Sequence, residues 1–286
     1  MSDNVFLWLG PVSTDIVAPA MPAGWVVRTY NRGANDGTNS DAFRAWAVGL
    51  GPNALARLAP DAPRIVIGGF SAAHGAIEIL LGQAAWARDP RVIGLLALDA
   101  YYSAWGVSTP KPGYLAWLRL ALERGLPAWL TTSTHEGYRK FGSTRAEHPS
   151  ATESIRPLAS ALGLENVGPE APPALRDVEG VPAPVAAHSR GSVLWLDYGN
   201  RLKHGDHAHK LARPALRGGP FLQATSLPIS ASSARANIAP TPSPGPMPAP
   251  APAPVPSSSS GGGGGLALGI ALAGGFLTWM WSRRKG

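Results

Sequence analysis

The sequence predicts an α/β protein: a mostly parallel, doubly wound sheet of about six strands with helices on both faces, then a disordered linker and one transmembrane helix. Three observations carry this expectation. Six apolar runs recur along the first 200 residues, helix-like segments with recognisable ends alternate with them, and the composition changes abruptly near Pro240.

The runs are Val5–Leu9, Trp25–Tyr30, Arg64–Gly68, Val92–Leu98, Ala128–Thr132 and Val193–Tyr198. None alternates cleanly between apolar and polar, as expected of strands covered on both faces. Between them, Asp41–Leu58 follows an Asn39-Ser40 cap and is interrupted at Gly51-Pro52, and Ala72–Arg88 stops at Asp89-Pro90. Gly113–Arg124 ends on Gly125, a residue suited to the left-handed position after a helix. Ser150-Ala-Thr-Glu153 is a capping box that opens a helix running to Gly163, and Lys203–Leu216 supplies the last helix. Strand–helix alternation of this kind points to a parallel sheet, whose functional site lies beyond the carboxyl ends of its strands.

The remainder divides by composition. Residues 1–220 form the globular domain, and 221–265 are a Pro/Ala-rich and then Ser/Gly-rich linker, too poor in large apolar side chains to offset the entropy of ordering. Residues 266–281, LALGIALAGGFLTWMW, are an apolar run of about 16 residues with tryptophans at the far end, and 282–286 form a basic tail. The run is slightly short of the ~20 residues a bilayer core requires, but the aromatic and basic flank is the pattern of a membrane anchor. The expectation is a single-pass C-terminal anchor in a lipid bilayer, with the side of the membrane left open. The N-terminus has neither the positive region nor the small-residue cleavage site of a secretory signal.

With no cysteine in 286 residues, disulfides, thiol catalysis and Cys-based zinc sites are excluded. The formal charge of +7 comes from scattered basic residues, so no nucleic-acid partner is expected.

Chemistry concentrates after the third run, which continues Gly69-Phe-Ser71-Ala-Ala73-His-Gly into a helix. This approximates G-x-S-x-G, with alanine in place of the last glycine. A tight strand-to-helix turn needs small residues two positions either side of the serine, so that the hydroxyl projects and the helix N–H groups face developing negative charge. After the last run comes His204-Gly-Asp206-His207-Ala-His209. His207, following Gly-Asp at a helix start, is the first choice for a general base, with His209 and His204 as alternatives. The same cluster has metal-binding residue types, but it stands alone at the end of the domain, and neither metal nor cofactor is expected. For an acid, Asp99 closes the fourth run and is favoured over Glu136 after the fifth, because an ionised residue ending an apolar strand is costly unless paired or functional. Tyr101, Tyr102, Trp105 and Trp117 are candidates to line an apolar pocket.

At these residues the chain resembles the α/β-hydrolase superfamily over roughly residues 5–217, in the position of the Ser71 turn after a central strand and in the order Ser…acid…His. The core is trimmed, with no antiparallel strand pair before Val5. The resemblance implies a Ser71–His207–Asp99 relay. It also implies an oxyanion hole of the Ala72 N–H and one from the loop after the first strand, Val12 or Gly10, since Pro11 has none. The function it implies is a membrane-tethered serine hydrolase acting on a small-molecule or lipid-like carboxylic ester, or an amide. The alternative is an inactive hydrolase-fold scaffold or binding module displayed on a membrane or virion.

Overall fold

The computed structural model describes residues 2–30, 40–103, 107–134 and 149–222. The six runs form strands β1 (Asn4–Leu9), β2 (Trp25–Tyr30), β3 (Ile65–Phe70), β4 (Val92–Leu98), β5 (Ala128–Thr132) and β8 (Val193–Asp197). Two more, β6 (Glu165–Gly168) and β7 (Ala186–Arg190), complete a sheet of order β2-β1-β3-β4-β5-β8-β7-β6. The first six strands in that order pair in parallel, while β8-β7 and β7-β6 are antiparallel. The sheet therefore has eight strands rather than about six. The additional pair escapes an apolar-run search because β6 is largely exposed and β7, Ala-Ala-His-Ser-Arg, is only partly covered.

The helices are α1 (Ser40–Gly49), α2 (Ala54–Leu58), α3 (His74–Gly82), α4 (Ala84–Arg88), α5 (Pro112–Arg124), α6 (Ala151–Leu162), α7 (His204–Asp206) and α8 (Ala212–Gly218). The single helix expected over 72–88 is divided. A 3₁₀ turn at Ser71–Ala73 precedes α3, and extended backbone at Gln83 separates α3 from α4. Ser150 and Glu153 form the capping box at the start of α6, and Gly125 and Gly163 adopt the left-handed conformation that ends α5 and α6. Each cap satisfies backbone groups that a helix end leaves without partners.

Successive residues of the central strands face two separate cores. Leu7, Leu9, Ile65, Ile67, Leu95 and Leu130 point into one, which α1 to α6 cover. Phe6, Trp8, Val66, Leu96, Leu98 and Leu196 point into the other, covered by α8 and by short turns at Thr14–Ile16, Ala18–Ala20 and Pro173–Leu175. This two-sided burial is why the strands read as continuous apolar runs. The connections after β1, β3, β4, β5 and β8 all emerge at one edge, the carboxyl end of the parallel strands.

Among the described residues no helix is long and apolar enough to cross a membrane. Of the expected linker 221–265, Phe221 and Leu222 are instead buried in the second core; the rest of it, the membrane segment 266–281 and the basic tail 282–286 lie outside the described residues.

Close helix packing around α3 holds the site in place. A Cβ at Gly113, in the first turn of α5, would overlap the Glu78 carbonyl oxygen of α3 and stand 2.9 Å from the Gly82 nitrogen. Gly125 instead has open space around it and only its left-handed φ of +66° to respect. Gly113→Ala is therefore expected to cost about 3 kcal/mol by forcing helices apart, and Gly125→Ala about 1 kcal/mol from backbone strain. Denaturant unfolding of the two variants checks the order; a larger loss at Gly125 contradicts it.

Candidate active site

At the end of β3 the chain passes from extended Phe70 (φ −134°, ψ 141°) to Ser71 in the left-handed region, φ 55°, and then into the 3₁₀ turn that leads to α3. The reversal needs room on its inner side. A Cβ at Gly69 would lie 2.6 Å from Ile77 Cδ1 and 3.0 Å from Ala73 Cβ. Gly69 is thus required, and the methyl group of Ala73, wholly buried, is accommodated because Gly69 has no side chain opposite it. A non-glycine residue at positive φ costs on the order of 1 kcal/mol or more and persists only where the surroundings enforce it.

Ser71 Oγ stands 2.8 Å from His204 Nε2, and His204 Nδ1 stands 2.5 Å from Asp99 Oδ2. An ionised carboxylate only accepts hydrogen bonds, which assigns the ring proton to Nδ1 and leaves Nε2 to accept from the serine hydroxyl. His204 opens α7 at the carboxyl edge of the sheet, its ring 4.7 Å from that of Phe70 and its side chain 28% exposed.

Asp99 follows β4 directly and is completely buried, with φ 43°. Its backbone N–H donates to the Thr131 carbonyl (2.9 Å) and to Thr131 Oγ1 (3.2 Å). Its Oδ1 accepts from the Ser133 N–H (2.9 Å), and its Oδ2 accepts from Ser133 Oγ (2.8 Å) and the Tyr102 hydroxyl (3.3 Å) as well as from His204. Burial is the largest single influence on the Asp99 pKa and raises it. The charges of His207 and His204, with hydrogen bonds from His204 and Ser133, outweigh burial and hold the carboxyl below its ordinary value.

The histidine at the serine is thus His204, where the sequence favoured His207. His207 is fully buried, its Nδ1 2.7 Å from Thr131 Oγ1 and its ring edge-on to Tyr198. The cause is helical. His207, Ala208, Leu211, Ala212, Ala215 and Leu216 are all buried and recur with the period of one helix face, so His207 belongs to the stripe that packs on the sheet. A π turn at His207–Leu211 follows immediately, a wide turn of the sort found where a helix start is re-aimed. His204, one turn earlier, lies before this stripe begins. His209 is exposed, and Asp206 pairs with Lys210, so the metal-like spacing does not bring these side chains to one point. Among the described residues no group of three ligating side chains could hold a metal ion.

Ala72, next to Ser71, is buried at the start of the turn into α3. The loop after β1 begins beside it, since Leu9 pairs with Gly69 and Gly10 packs on Phe70. Val12 in that loop accepts a hydrogen bond from Trp8 Nε1 through its carbonyl. Tyr101 and Trp117 are buried core residues rather than pocket walls. Glu136 and Trp105 lie outside the described residues.

In chemical terms, a hydroxyl donating to an imidazole that in turn donates to a buried carboxylate can lose its proton as it becomes a nucleophile. The carboxylate holds the ring in the required tautomer and offsets the charge the ring acquires.

Burial lowers the His207 pKa to about 4, against an opposing pull from Asp99. The buried ring is neutral in the folded protein and takes up a proton more readily on unfolding. Its effect on stability is therefore neutral above pH 6.5, and stability falls as pH drops from 6.5 towards about 4, by roughly 3 kcal/mol in total. Asp99, with its lowered pKa, adds a loss only at more acid pH. Replacing His207 by Gln is expected to flatten the slope of unfolding free energy between pH 4 and 6.5, as measured by urea titration; an equal slope in both proteins contradicts this assignment.

Neither a protein-family model nor a curated protein matches the chain, so what the site does rests on these distances and on the chemistry of its groups.

Proposed function

We propose that the chain is a serine hydrolase of the α/β-hydrolase type that cleaves a carboxylic ester or amide, with Ser71 as nucleophile, His204 as general base and acid, and Asp99 as the acid that orients the ring. The observation that carries the reading is the continuous hydrogen-bond path of 2.8 Å and 2.5 Å from Ser71 Oγ through His204 to Asp99. A second supports it. Only three non-glycine residues among those described have positive φ, and two of them are Ser71 and Asp99. Backbone strain gathered at the two ends of one hydrogen-bond path supports a functional site there.

The steps follow from the atoms. Ser71 Oγ bonds to the substrate carbonyl carbon while its proton passes to His204 Nε2, and Asp99 stabilises the imidazolium. The carbonyl π electrons move to oxygen, where the Ala72 N–H at the helix start and a donor from the loop after β1, Val12 or Gly10, face the charge. When the bond to the leaving group breaks, His204 returns the proton to it, leaving an acyl ester on Ser71. Water then repeats the sequence, with His204 as base, to release the acid and restore the hydroxyl.

The proposed substrates are small-molecule or lipid-like esters. The apolar segment 266–281 with its tryptophans and basic tail supports a C-terminal anchor that would hold the domain at a bilayer surface. The proposed relay needs neither metal nor cofactor.

A fluorophosphonate probe, which reacts with an activated serine, tests the activity. The wild-type chain is expected to be labelled on the tryptic peptide containing Ser71, and Ser71→Ala to lose labelling entirely. Equal labelling of the variant, or none of the wild type, overturns the proposal.

A further inference from the structure

Tyr102 sits where the proposed relay is most sensitive. Its hydroxyl is 3.3 Å from Asp99 Oδ2 and 3.2 Å from His204 Nδ1, in the notch between the carboxylate and the imidazole. The two neighbours cannot be treated alike. Nδ1 carries the proton it gives to Asp99, so the phenol proton goes to Oδ2, and the 3.2 Å separation lies between two donors that converge on one acceptor.

The surrounding chain holds this position from both sides. The Tyr114 hydroxyl donates to the Ala100 carbonyl (2.8 Å), the Lys111 N–H donates to the Tyr101 hydroxyl (2.9 Å), and the Ser103 N–H donates to Ser154 Oγ (3.0 Å). Residues 100 to 103 are therefore tied to α5 and α6, and Tyr102 has little freedom to leave the notch. Its ring also lies 5.4 Å from that of His74. Burial raises the Tyr102 pKa well above its ordinary value, with the Asp99 charge and hydrogen bond adding to the effect, so the phenol keeps its proton and acts as a donor.

We propose that Tyr102 is a positioning residue that sets the strength of the His204–Asp99 hydrogen bond by competing with the imidazole for Asp99 Oδ2. The proposal rests on the hydrolase reading for its consequence in catalysis, but not for the bond it describes. Oδ2 already accepts from Ser133 Oγ and His204, and each further donor draws charge from the oxygen. Without the phenol, the carboxylate becomes the stronger partner of the imidazole and stabilises its imidazolium form more. Among the described residues, the groups of other elements that face His204 include Asp99 at the end of β4, Tyr102 in the loop after it, and Ser71 and Phe70 at the β3 turn. His74 on α3 reaches it through Tyr102, and Asp206 and His207 follow on its own segment. Of these, Tyr102 is an uncharged donor that can be removed without adding or deleting charge.

The test compares the full-length chain with Tyr102→Phe by two readouts. The first is the far-downfield proton resonance of His204 Nδ1–H, identified by its loss in His204→Gln. The second is the rate of fluorophosphonate labelling as a function of pH. In the variant the resonance is expected to move downfield. The acid limb of the labelling profile should move to higher pH by about half a unit, the scale of one modest hydrogen bond. At a given pH on that limb the rate, taken as a fraction of each protein's own plateau, is then about threefold lower in the variant than in the wild type. An unmoved resonance, a shift in the opposite direction, a lowered plateau with an unmoved limb, or no His204-dependent resonance in the wild type overturns the proposal. A downfield shift in a chain that no probe labels upholds the competition at Oδ2 while refuting the hydrolase reading, so the two failures are distinguishable.

Discussion

A carboxylate removed from water must find every one of its hydrogen-bond donors within the protein, and Asp99 is completely buried at the end of a central strand. It recruits them from three places: the backbone and side chain of Ser133 after β5, Tyr102 in its own loop, and His204 at the start of α7. Each donor comes from a different connection, so all of these loops must meet at one edge of the sheet. The parallel pairing of β3, β4, β5 and β8 brings them there. Without this set of donors the charge would be stranded in the interior, which ties the local geometry of the site to the stability of the fold.

The same coupling runs through the packing. Ser71 can turn from strand to helix only because Gly69 has no side chain where Ile77 and Ala73 approach. The helix that follows it is held closely to α5 at Gly113. On the other face, the buried stripe from His207 to Leu216 seats the last helix against the sheet and thereby sets where His204 begins it. Thr131 joins the two histidine environments, since its hydroxyl group meets both His207 and the Asp99 N–H. The serine, histidine and carboxylate are therefore positioned by elements far apart in sequence, at residues 71, 99 and 204.

Much of this was legible in the residues themselves. The six parallel strands announce themselves as apolar runs because both faces are covered, and the capping box at Ser150 and the glycine after Arg124 mark helix ends by local chemistry alone. Ser71 is visible because a tight turn restricts the size of its neighbours. The antiparallel pair β6 and β7 is not visible from apolar runs, since an exposed edge imposes no hydrophobic pattern; the one local signal in this region, the Gly191-Ser192 turn between Arg190 and Val193, joins β7 to β8. The choice among the three histidines was decidable in principle. Counting the helical period back from Leu216 places His207 among buried residues, whereas the Gly-Asp before it suggests a helix start and draws attention to the wrong ring. The hydrogen bonds of Tyr102 depend on the angle at which its loop leaves β4, which no local pattern encodes.

The account turns on which histidine serves Ser71, and the phosphonylation rate constants of His204→Gln and His207→Gln, measured side by side at pH 8, address this most directly. A positioned general base contributes roughly 100-fold or more to such a reaction. The account predicts a loss of that size for His204→Gln and a loss of less than about tenfold for His207→Gln. A greater loss in His207→Gln than in His204→Gln would contradict it.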